Sequence, residues 1–124
     1  MVVFTLVGDI EKVVETLRLQ HGEFKLVMLY NSSLGAPMSW NLIVSALWLD
    51  QMKLTESIDL IARELHQELG LENMSSVSRI TVLKTSDPFV RDVTNFYPVG
   101  TPIPQLTAGD ISGSGFILYS QKAA

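Results

Sequence analysis

The chain has 124 residues, about the size of one domain, and no cysteine, which excludes disulfides, thiolate metal sites and cysteine nucleophiles. Apolar residues make up 47% and charged residues only 18%, so there is little charge to solvate the surface and part of the apolar excess is expected in a subunit interface. A formal net charge of −4, with its basic residues spread evenly from Lys12 to Lys122, disfavours nucleic-acid binding.

No apolar run approaches the roughly 20 residues of a membrane span. The opening MVVFTLVGD lacks the basic start of a signal peptide, and a cytoplasmic location is the expectation. Val2 to Val7 is apolar and β-branched, which suits a short strand or a packed tail. Asp9 offers a helix N-cap. Ile10, Val13, Val14 and Leu17 follow at i, i+3, i+4 and i+7, one face of a helix that Gly22 can stop by taking φ > 0.

Phe24 to Tyr30 is apolar without alternation and reads as a strand covered on both faces. A turn-rich link, Asn31 to Ser39, holds Gly35 and Pro37. The next strand spans Trp40 to Leu49, WNLIVSALWL, and a short link makes it the antiparallel neighbour of the first. Period-2 spacing would put Trp40 and Trp48 on one face of it, as core or interface anchors.

Thr55 is the expected N-cap of an amphipathic helix over 55–69, with Leu54, Ile58, Ile61, Ala62, Leu65 and Leu69 as its apolar stripe. Gly70 is placed to end it, with Leu71 folding back onto Leu65. Glu72 to Ser76 reads as a loop. Val77 to Lys84 is the next strand, and a helix of that length between two strands makes a parallel βαβ unit. Asp87 and Pro88 then signal a helix start, followed by Phe89, Val90, Val93 and Phe96 at helical spacing. Tyr97 to Gly113 has three prolines, three glycines and no period, and is expected to be a long loop or arm. Phe116 to Tyr119 closes the sheet.

These elements predict one α/β domain over residues 1–124, with α+β the alternative, in the order α-β-β-α-β-α-β. The sheet is mixed, with four or five strands and a central βαβ unit, and the helices pack on it in two or three layers. In outline the order resembles small nucleases and nucleotidyltransferases. The residues depart from both: the strands carry no Asp…Glu-x-Lys set, and there is no Gly-Ser with paired Asp. An outline alone implies no activity.

The βαβ unit also locates the candidate ligand site. Asp50 leaves the carboxyl end of one parallel strand; Lys84, Ser86 and Asp87 leave that of the next. Strand carboxyl ends are where α/β proteins usually bind ligands. Two carboxylates there could hold a divalent cation or act as an acid/base pair, and Lys84 could counter a phosphate or carboxylate. The competing structural readings are a helix cap for Asp87 and an ordinary loop residue for Asp50. Gly109 to Gly115 precedes a strand and fits no phosphate-loop spacing, so it reads as a hinge or bulge. His21 and His66 share no ligand spacing, no serine sits in a nucleophile elbow, and no metal site or cofactor is assigned.

Two classes of function follow. One is a non-enzymatic binding or regulatory module of bacterial type that self-associates as a homodimer. In it the 97–113 arm lays Val99, Ile103, Leu106 and Ile111 against a neighbour. The other is a small metal-dependent enzyme, of hydrolase or nucleotidyl-transfer type, using the strand-end carboxylates.

Overall fold

In a computed structural model of the chain, the described residues are 2–32, 40–74, 77–100, 102–108 and 111–121. The side chains of residues 2–5, 32, 71–74, 102, 104–108 and 111–112 lie outside the description, as does most of the expected link, Gly35 and Pro37 included. The fold is α/β: a mixed five-stranded sheet, in the order β3-β2-β1-β5-β4, with helices on both faces. The strands are β1 (Leu26–Ser32), β2 (Trp40–Ser45), β3 (Val77–Val82), β4 (Pro102–Ala108) and β5 (Ile111–Ser120). The helices are α1 (Val2–His21), α2 (Leu47–Asp50), α3 (Leu54–Met74) and α4 (Pro88–Phe96).

The central strand is β1, antiparallel to β2 on one side and to β5 on the other. Every residue from Leu26 to Tyr30 is buried, as its unbroken apolar run requires. Alternate side chains serve opposite layers. Val27 and Leu29 join the cluster beneath α1 and α3; Leu26, Met28 and Tyr30 join the one beneath α4. Strands β2 and β3 are parallel, as the βαβ reading expects.

Several boundaries differ from expectation. Val2 to Val7 is helix, not strand: Leu6 is buried and extends the Ile10, Val13, Leu17 stripe backwards by one turn. A shared buried face outweighs the β preference of a short β-branched run. Gly22, at φ 130°, ends α1. Strand β2 stops at Ser45, and the chain turns into the short helix α2, so Trp48 is not a strand residue. Helix α3 begins at Leu54, which places Thr55 inside the first turn rather than at the cap, and Leu54 itself is exposed. Its buried face is Ser57, Ile61, Leu65 and Leu69, each four residues apart. Gly70 breaks the helical path at φ 73° and ψ 174°, a region open only to glycine, and helical backbone resumes over the expected loop as far as Met74. The expected contact of Leu71 with Leu65 lies outside the described residues.

The 97–113 segment is also more ordered in pattern than an arm. Pro102–Ala108 forms β4, an edge strand paired with β5 alone. Pro102 and Pro104 cannot donate to a ladder, which confines them to an edge. The pairing shifts register between Ile103 and Leu106, where the β4 side holds an extra residue. Gly109 and Asp110 lie outside the described residues. Gly113 sits where a Cβ would come within 2.5 Å of the Asn31 carbonyl oxygen, so close strand approach explains that glycine.

Candidate functional site

The cleft that concerns function opens at the end of the sheet where β2 and β3 finish. Three chain turns meet there. Ala46 is extended and fully buried, and its carbonyl accepts from the Asp50 N–H at 3.0 Å, which starts α2 directly after β2. Lys25, just before β1, donates its N–H to Ser45 O at 2.7 Å and accepts from Gln121 N–H at 2.9 Å. Gly22 carries the chain from α1 into this corner. The result is a cleft of about 460 Å³ lined by residues 21–23 and Lys25, by Leu47 and Trp48, and by Thr85 and Gln121. That volume falls in the range of small-molecule sites.

The apolar wall centres on Trp48. The His21 ring stacks on it with centroids 4.6 Å apart and planes 16° apart. Phe24 meets it edge-on at 5.4 Å. These geometries suit the positive edges and negative faces of aromatic rings. The Trp48 Nε1–H is shielded from water and has no hydrogen-bond partner among the described residues. Leu47 projects into solvent at the rim, 72% exposed.

The acidic side of the cleft is already engaged. The Tyr119 hydroxyl donates to Glu23 Oε1 at 2.6 Å, and Arg18 Nη1 donates to Glu23 Oε2 at 2.9 Å. Those two bonds, the tyrosine's first, hold the Glu23 carboxyl below the usual carboxylate range. Donation to Glu23 raises the Tyr119 phenol in turn. Arg18 also grips Glu15 at 2.6 Å, which lowers the Glu15 carboxyl chiefly through that hydrogen bond. Lys25 is different. It is half-buried, and its ammonium has neither hydrogen bond nor ion pair among the described residues.

The four expected ligand residues lie next to this cleft without lining it. Asp50, Lys84 and Thr85 form a latch. The Thr85 N–H donates to Asp50 Oδ1 at 3.2 Å, its hydroxyl donates to Asp50 Oδ2 at 2.7 Å, and Lys84 Nζ donates to the Asp50 carbonyl at 3.2 Å. The latch ties α2 to the loop after β3. Asp87 caps α4, accepting from Phe89 N–H at 2.8 Å, with Pro88 in the first turn. Ser86 is exposed beside it. Among the described residues no group of three or more His, Asp and Glu side chains could hold a metal ion. The residues that sequence reasoning missed, His21, Lys25, Trp48 and Gln121, converge only through the fold.

The residues expected at an interface separate. Ile103 is buried in its own core beneath α4, whereas Val99 is 49% exposed. The Leu106 and Ile111 side chains lie outside the described residues. Phe96, expected on the buried stripe of α4, is 74% exposed, because the helix ends there and the chain turns away. With Tyr97, Pro98 and Val99 it borders a shallow groove of about 380 Å³. No helix among the described residues is long and apolar enough to cross a membrane. Comparison with protein-family models, with curated proteins and with solved structures gave no match.

Proposed function

We propose that this protein is a non-enzymatic module that binds a small molecule in the cleft at the carboxyl ends of β2 and β3. The observation that carries this reading is the pairing of a stacked aromatic wall, His21 on Trp48, with Lys25 in the lining of the same cleft, its ammonium uncommitted among the described residues. A metal-dependent reaction at Asp50 and Asp87 is the less supported reading. Asp50 would have to release Thr85, and Asp87 would have to release the start of α4.

Self-association as a homodimer belongs to the same proposal. Its support is the exposed apolar group Phe96, Pro98 and Val99 beside the edge strand β4, together with the low charge of the chain. Sedimentation equilibrium at micromolar concentrations should report a dimer that Phe96→Glu dissociates. A monomer throughout would refute the dimer and leave the cleft unaffected.

The cleft itself is tested by mapping amide chemical shifts against a panel of neutral, anionic and cationic aromatic fragments. Binding in the cleft requires shifts clustered on residues 21–25, 47–48, 85 and 121. Shifts scattered over the surface, or none, would overturn it.

A further inference from the structure

Resting on the cleft as a binding site, we infer that its ligand class is a small aromatic carboxylate, the ring lying along Leu47 and Trp48 and the carboxylate meeting Lys25. The inference comes from counting what each polar group in the cleft has left to give. Glu23, the one acidic side chain among the described residues of the lining, accepts from Tyr119 on one oxygen and from Arg18 on the other. Its charge is therefore offset by a neighbouring guanidinium, which weakens its pull on a cationic ligand. Thr85 gives its N–H and its hydroxyl proton to Asp50. Gln121 gives its amide N–H to Tyr119 at 3.2 Å.

Among the described residues, what remains on the donor side is the Lys25 ammonium, the second Gln121 amide proton and the ring nitrogens of His21, whose ring contact is the stack with Trp48; the unpartnered Trp48 Nε1–H is shielded from water. A lysine ammonium with no partner among the described residues is attracted to an anionic oxygen, and a charge-assisted bond of that kind is stronger than a neutral one. The rest of the lining is predominantly apolar, with an exposed leucine and an indole. A highly charged phosphate carries more charge than the single cation of the lining offsets and would leave that wall idle. A planar apolar body carrying one carboxylate matches both halves.

Benzoate and benzamide differ in charge and hardly in shape, so they separate the two parts of the claim. The titration uses Trp40→Phe protein, which keeps Trp48 as the sole tryptophan reporter. Benzoate should change Trp48 fluorescence saturably, with benzamide weaker by about tenfold or more, the value of one charge-assisted bond. Lys25→Gln should reduce benzoate to the benzamide level, and Lys25→Arg should keep most of the affinity, which controls for folding. Equal binding of the two probes, or benzoate binding indifferent to Lys25→Gln, would overturn the carboxylate class and leave the cleft as a site. Failure of both probes would overturn the aromatic carboxylate as well, while fragment mapping onto residues 21–25 and 47–48 would decide separately whether the cleft binds at all.

Discussion

Asp50→Ala removes the side-chain bonds of the latch between the two strand ends that frame the cleft, and leaves the Lys84 bond to the residue 50 carbonyl. The wild-type carboxylate accepts the Thr85 N–H at 3.2 Å and the Thr85 hydroxyl at 2.7 Å, and both residues are half-buried. Hydrogen bonds to a charged acceptor contribute about 1.5–3 kcal/mol, and leaving the N–H unpaired adds to the loss. Water can reach a half-buried site and recover part of this, so the lower half of the range applies: about 2 kcal/mol. For a chain of this size that lowers the midpoint of thermal unfolding by roughly 8 °C. Thr85→Val keeps the N–H and loses only the hydroxyl, at a cost of about 1 kcal/mol. Urea unfolding of the two single variants and the double variant forms a cycle. Because the same bond is lost in each single variant, the double should be less destabilised than their sum by about 1 kcal/mol. Strict additivity, or an Asp50→Ala effect under about 0.5 kcal/mol, would show that the latch does not operate in solution.

Asp87→Ala should cost about 1 kcal/mol by equilibrium unfolding through the lost cap of α4, and Asp87→Asn much less, since asparagine caps almost as well. Gly113→Ala should destabilise by about 3 kcal/mol or prevent folding, because its Cβ would meet the Asn31 carbonyl at 2.5 Å and the tyrosine ring of Tyr30 at 2.9 Å; a circular-dichroism melt close to wild type would contradict that approach. The depressed Glu23 carboxyl contributes stability above the ordinary glutamate value, about 4.3, that is lost as pH falls through its folded value. Tyr119→Phe should move that carboxyl back upward in a carbon-13 titration, and an unmoved Glu23 would remove the tyrosine bond as its main cause.

Those predictions depend on features of unequal visibility in the sequence. The pairing of β2 with β3 through α3 follows from an apolar run, an amphipathic helix and a second apolar run, and the α4 cap follows from Asp87-Pro88. Local signals were enough there because the apolar pattern of each run and the Asp87 cap are set by residues close in sequence. The WNLIVSALWL run hides its strand–helix junction, since a buried strand and a buried helical turn are equally apolar. Val2 to Val7 misleads for the opposite reason: its β-branched residues suggest a strand, but burial of Leu6 against the core sets the outcome. The cleft was not legible at all. His21 and Lys25, Trp48, Thr85 and Gln121 come from four separate stretches, and no spacing links a helix end, a strand entry and a closing strand before the sheet order is known.

The central claim is that a small aromatic carboxylate seats in that cleft, and intermolecular nuclear Overhauser effects from benzoate test it most directly. Ring protons lying in the cleft must show effects to the Leu47 methyl groups and the Trp48 indole, and Leu47→Ser should abolish the first set while the fold persists. Effects confined to Phe96 and Val99, or absent at saturating benzoate, would place no aromatic carboxylate in the cleft and contradict the claim.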